Sequence, residues 1–203
     1  LPAGYRDGRD RFPVLYLQDG QNLFDPATAF MRSWHAQRAL DRHAHGGAPV
    51  IAVAIPNSGV RRIHEYAPFR DRRYGGGGGE AYLAWLLGSV QPLIEKQFRI
   101  ARGRETTAIA GASMGGLCSL VLAWEHSAVF GAAASLSGSF QVQHRNFLSK
   151  ALRLCRQRCQ RSRVYLDSGV IDSDGGDDGR GDTEAVAREL RRLGWRDGID
   201  QHM

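Results

Sequence analysis

The chain has 203 residues, a formal net charge of +6, 42% hydrophobic residues and 24% charged residues. That length and balance suit one globular domain with a substantial core. No apolar run reaches bilayer-spanning length, so no membrane helix is expected, and no stretch has the form of a secretory leader, although the chain starts at Leu1 and not at Met.

Positive charge alone does not point to nucleic acid. The densest basic stretch, residues 150–163, contains no aromatic residue, whereas a binding stripe interleaves the two. Cys118, Cys155 and Cys159 make no disulfide framework, and the two thiols of Cys155 and Cys159 alone make a poor metal site, since structural zinc takes four ligands. Cys118 suits core packing, and Cys155 and Cys159, four apart, share a helix face. This cysteine usage favours a reducing, cytoplasmic location.

Residues 12–17 form an apolar strand closed by Gln18-Asp19-Gly20. A helix is predicted over 33–45 and a second strand over 50–55, closed by Pro56-Asn57-Ser58-Gly59. Residues 70–79, ending in five successive glycines, are a polar surface loop within the domain. Residues 80–98 place apolar side chains near 3.6-residue spacing, an amphipathic helix that Pro92 is expected to kink. A short strand at 106–110 and a helix at 116–124 follow, then a strand at 130–136. Residues 143–161 are a basic helix, 164–166 a strand and 167–182 an acidic, glycine-rich loop. A helix over 183–193 ends at Gly194, and 199–203 begin another strand. Nearly continuous apolar strands alternating with helices predict an α/β fold. Its mostly parallel sheet is covered by helices on both faces, in three layers. Active sites in such sheets lie at the carboxyl ends of the strands.

Gly111-Ala112-Ser113-Met114-Gly115 carries the chemistry. It has the form G-x-S-x-G between a strand and a helix, the setting of a nucleophile elbow. Glycines on either side let strand and helix approach and let Ser113 take a strained backbone. The Met114 N–H then stands at a helix N-terminus, where it can hold an oxyanion. The second oxyanion donor is expected from the loop after the first strand, with the Gln21 N–H as candidate. The orienting acid should follow the serine in chain order. Asp172, just past a strand end, is the best placed; Asp174, Asp182 and Asp167 are alternatives. The acidic loop departs from the calcium-loop pattern, with Gly176 where an oxygen ligand should stand, and no metal is expected.

A histidine base should come after Asp172, yet the only one there is His202, inside an incoming strand. His35, His43, His45, His64, His126 and His144 all precede the acid. His43 and His45, two apart, would not share a helix face as metal ligands do. The base is therefore expected beyond Met203.

The chain resembles the esterase D and enterochelin-esterase-like α/β-hydrolases. The resemblance rests on residues 12–25, from Phe12-Pro13-Val14 to Phe24-Asp25, and on Trp34 and the segment 61–68. It rests further on the glycine run with Tyr82, on 108–117 around Ser113, and on Val129-Phe130-Gly131 with Leu136-Ser137-Gly138-Ser139-Phe140. It implies a serine esterase needing no cofactor and acting on a small-molecule ester, with Ser113 as nucleophile. The Met114 and Gln21 amides would form the oxyanion hole, and the acid would lie in the segment of Asp172. It also implies a fragment lacking both edges of the family's sheet, and with them a histidine-bearing loop and final helix. An acyltransferase on this scaffold, or an inert binding module without the base, are the alternative functions. The basic stretch 150–163 falls where such folds carry a lid, either a solvated helix or a contact for an anionic or sugar-linked ester.

Overall fold

The computed structural model describes residues 1–30, 32–142, 147–148, 160–172 and 175–203. Most of the helix predicted over 143–161, with Cys155, Cys159, His144 and most of the basic stretch, lies outside the described residues, as does Asp174.

Strands β1 (Val14–Gln18), β2 (Ile51–Ile55), β5 (Thr107–Ala112), β6 (Ala132–Leu136), β7 (Arg163–Asp167) and β8 (Gln201–His202) form one sheet in the order β2-β1-β5-β6-β7-β8. Every adjacent pair is parallel, with Leu17 opposite Ala110, Ala110 opposite Ala134 and Ala134 opposite Tyr165. Parallel strands need crossovers, which the intervening helices supply. Within the loop predicted at 70–79, β3 (Arg70–Asp71) and β4 (Gly75–Gly76) make a short antiparallel hairpin. Asp71 closes its turn by accepting from the Arg73 and Tyr74 N–H groups.

The two faces of the sheet differ. Val14, Tyr16, Ile51, Ile55, Ile109, Ala133, Val164 and Leu166 belong to the main core. Helix α5 (Met114–Glu125) lies against this face, and every residue from Met114 to Trp124 is buried. Apolar on nearly all sides, α5 is a helix only the interior could accept. Helices α3 (Gly79–Trp85) and α4 (Gln91–Gln97) join through a π-helical turn at Leu86–Val90. The turn explains how Pro92 is tolerated. A ring with no N–H disrupts a regular ladder, and the wider turn absorbs that loss just before it.

Helix α6 (Arg180–Arg192) adds Val186, Ala187 and Leu190 to the main core. It stops at Gly194, φ 97°, after which Trp195 stacks on Trp124 with ring centroids 5.3 Å apart. Its start precedes the predicted one, so Asp182 lies in its first turn, buried, and not in a loop.

The opposite face carries Leu15, Leu17 and a patch of alanines, Ala52, Ala54, Ala108, Ala110, Ala132 and Ala134. Helix α1 (Ala36–His45) lies over part of it without burying any of its own residues. A cavity of about 890 Å³ opens between Leu40 of α1 and Pro13, Val14 and Thr107 at the amino ends of the strands. No described helix is long and apolar enough to cross a membrane.

Candidate active site

The chain leaves β1 toward β2 on one side and returns to β5 on the other, so the strand order reverses between β1 and β5. Ligand crevices of parallel sheets open at such points, above the carboxyl ends. The turn after β1 holds Asp19 and Gln21; the turn after β5 holds Ser113. The large cavity lies at the opposite, amino ends, away from these turns.

Ser113 has φ 55° and ψ −124°, a conformation that costs a non-glycine residue on the order of 1–3 kcal/mol and persists only where its surroundings enforce it. Those surroundings are present. The Ser113 N–H donates to the Leu136 carbonyl at 2.9 Å, and the Ser113 carbonyl accepts from Gly116, Leu117 and Ser139 at 3.0, 3.1 and 3.1 Å. A Cβ on Gly111 would lie 2.5 Å from the Gly115 carbonyl carbon and 2.9 Å from Gln18 Cβ. The serine itself is exposed, while Met114 behind it is buried. As the first residue of α5, Met114 has an N–H with no carbonyl one turn back to bond.

The Gln21 turn is held by a buried network. Asp19 is left-handed at φ 55° and 2% exposed. Its carboxylate receives both nitrogens of a bidentate Arg62 guanidinium at 2.7 and 2.8 Å, and Asn57 Nδ2 at 2.6 Å. Its N–H donates to the Tyr66 hydroxyl at 3.1 Å. Burial works against the Arg62 charge, but hydrogen bonding and the charge of Asp19 outweigh it and raise its pKa. Gln21 itself lies in the short helical turn Gly20–Asn22, its side-chain carbonyl accepting the Asn57 N–H at 3.2 Å. A Cβ on Gly115 would stand 2.9 Å from Asp19 Oδ2, so this network abuts the elbow directly. Beneath it the Tyr82 hydroxyl donates to Gln18 Oε1 at 2.5 Å. Beside it a cleft of about 510 Å³ opens among Asn57, Arg61, His64, Tyr82 and Trp85.

The carboxylates past β7 are spread out. Asp172 is half-buried and accepts the Gly176 N–H at 2.7 Å. Asp167, the last residue of β7, accepts the Ser137 N–H on its carbonyl at 2.9 Å. Asp178, not among the candidate acids, accepts the Ser137 hydroxyl at 2.8 Å and also the Gly169 N–H. It ties the acidic loop to the turn beside the elbow.

No described histidine is hydrogen-bonded to Ser113. His202 pairs with Tyr165, level with Ala110, and stands three strands from β5. At the usual strand spacing that is about 14 Å. His43 borders the amino-end cavity, His45 faces Asp41, and His64 faces Gly76. His126 lies at the far end of α5, where burial lowers its pKa. The partner that Ser113 Oγ does have is the Ser139 hydroxyl at 2.9 Å. No group of three or more metal-binding side chains comes together among the described residues.

Comparison with known proteins shows the chain's family and fold. The family described as "Putative esterase" matches residues 1–199. An uncharacterized protein of Bacillus subtilis, YbbA, is 27% identical over 175 residues, 83% of this chain and 65% of that protein. A siderophore triacetylfusarinine C esterase of Aspergillus fumigatus is 32% identical over 120 residues, 56% of this chain and 39% of its own length. The chain thus spans less than two thirds of these relatives. An IroE-like serine hydrolase from Shewanella oneidensis superposes with TM-score 0.74 at 21% identity, covering 99% of this chain and 65% of the other. The enterobactin esterase FES from Shigella flexneri gives TM-score 0.71 at 20% identity, over 96% and 47%. The fold is that of the α/β-hydrolases, and the chain belongs to the Putative esterase family.

Proposed function

We propose that the protein hydrolyses carboxylic esters of small molecules through an acyl-enzyme on Ser113. The observation that carries this is the Ser113 backbone, held at φ 55° at the mouth of the β1/β5 crevice with its side chain exposed. Ser113 Oγ attacks the ester carbonyl, and its proton passes to a histidine. The tetrahedral oxyanion is held by the N–H groups of Met114 and Gln21, each such donor contributing ~10²–10³ in rate. The alcohol leaves, and water, activated by the same histidine, releases the acid and restores Ser113. Asp172 is the proposed orienting acid. The base is proposed to be a histidine outside the described residues. The esterases among the relatives support ester hydrolysis.

The test is hydrolysis of p-nitrophenyl acetate and butyrate by the protein as its gene encodes it, beside Ser113→Ala. Turnover lost in the variant, by roughly 10⁴-fold or more, is expected. Turnover unchanged in Ser113→Ala would remove the serine from the mechanism.

A further inference from the structure

The nucleophile's side chain touches one other hydroxyl, and that hydroxyl is set in a braced turn. Ser139 Oγ lies 2.9 Å from Ser113 Oγ, and the Ser139 N–H donates to the Ser113 carbonyl at 3.1 Å. Ser139 is 8% exposed, so water has little access to compete for it, whereas Ser113 is exposed. The turn that presents Ser139 is fixed from three directions. Leu136 holds the Ser113 N–H, the Asp167 carbonyl holds the Ser137 N–H, and Asp178 holds the Ser137 hydroxyl. Ser137 is left-handed at φ 46°, and a Cβ on Gly138 would meet Phe140 Cε2 at 2.6 Å. Held in this way, the turn aims a hydroxyl at Ser113 Oγ.

We propose that Ser139 positions the nucleophile by donating its hydroxyl hydrogen bond to Ser113 Oγ. The inference rests on Ser113 being the nucleophile. An exposed serine hydroxyl otherwise samples three staggered wells. A hydrogen bond from a buried donor selects one of them and leaves the Ser113 proton free to point at the base. As that proton departs, the bond becomes charge-assisted and strengthens. After acylation Oγ is an ester oxygen and a weaker acceptor. The contribution therefore falls on the attack step and leaves substrate affinity alone.

The experiment measures the rate at which a fluorophosphonate probe labels Ser113 in the protein as its gene encodes it. In labelling, the Oγ–P bond forms, the P–F bond breaks, fluoride leaves and the serine proton passes to the base. Wild type, Ser139→Ala, Ser139→Thr and Ser113→Ala are compared, with Tm recorded for each. Ser139→Ala is expected to label about tenfold more slowly at unchanged Tm, the worth of one hydrogen bond, and Ser139→Thr to recover most of the rate. With an ester substrate whose acylation limits turnover, the same loss should appear in kcat and not in KM. Labelling of Ser139→Ala at the wild-type rate would overturn the proposal, as would a loss in both variants that tracks a lowered Tm. If wild type and Ser113→Ala are equally unlabelled, the nucleophile assignment itself fails and this inference with it.

Discussion

At the scale of single residues, the elbow depends on atoms that are missing. Gly111 and Gly115 are needed because a Cβ at either would enter space held by Gln18, Asp19 or the elbow's own carbonyl. Such a clash in a packed interior typically costs 1–3 kcal/mol, and at Gly111 the nearest obstacle is backbone, which yields least. Gly111→Ala is therefore expected to lose about 3 kcal/mol of stability by urea unfolding and to lower esterase activity as Ser113 shifts. Unchanged stability would mean that strand and helix part more easily than their spacing indicates. This part of the site was legible in the sequence because its geometry is local: five consecutive residues specify the turn. Ser139 entered only as part of the resemblance, with no role, and Asp178 not at all. Each acts on a residue 26 or more positions away, and a lone serine or aspartate in a loop carries no pattern.

At the scale of elements, the turn after β1 is held by α2 (Arg62–Tyr66), which supplies both Arg62 and Tyr66 to Asp19. The segment around Arg62 entered the sequence argument through family resemblance alone, because the pairing spans 43 residues. Replacing one partner of a buried pair leaves the other charge stranded. Asp19 is the more buried partner, its side chain 3% exposed against 27% for Arg62. Arg62→Met is expected to cost about 3 kcal/mol, and Asp19→Asn/Arg62→Met less than the single change, by urea unfolding. The single variant should also lose turnover, since Gln21 depends on this turn. Equal stability in Arg62→Met and wild type would show that Asn57 and Tyr66 hold Asp19 unaided. Among the described residues the strands of the parallel sheet and the helices at 36–45, 114–125 and 180–192 stand in the order expected from periodicity, with boundaries moved by a few residues, whereas α2 was not foreseen. Helix α6 begins three residues before its predicted start, bringing Asp182 into its first turn. The glycine run hid a hairpin whose turn is specified by the Asp71 carboxylate.

At the scale of the molecule, the core gathers hydroxyls and a thiol that burial keeps protonated. Burial raises the Tyr66, Tyr82 and Cys118 groups well above their usual values and pushes Tyr16 up to about 12. In the unfolded chain a thiol titrates near ~8.5 and a tyrosine near ~10. Below those values both states hold the protons and the contribution is intact. Above them the unfolded chain releases protons that the folded one retains, so stability falls with pH until the folded groups also titrate. Tm is expected to decline steadily above about pH 9. A flat Tm between about pH 8 and 11 would show that these groups are solvated. The parallel sheet was legible from its apolar runs, and the inequality of its faces was not. Both faces read as apolar, yet one is roofed by α5 and the other offers small alanines beneath a helix that buries nothing.

The central claim is that Ser113 carries the acyl group. Its most direct test is to react the protein as its gene encodes it with p-nitrophenyl acetate, quench in acid within the first turnover, and map the acetylated peptide by mass spectrometry. The account predicts acetyl on Ser113 and none in Ser113→Ala. Turnover with Ser113 unmodified, or acetyl carried on another residue that also supports turnover in Ser113→Ala, would contradict it.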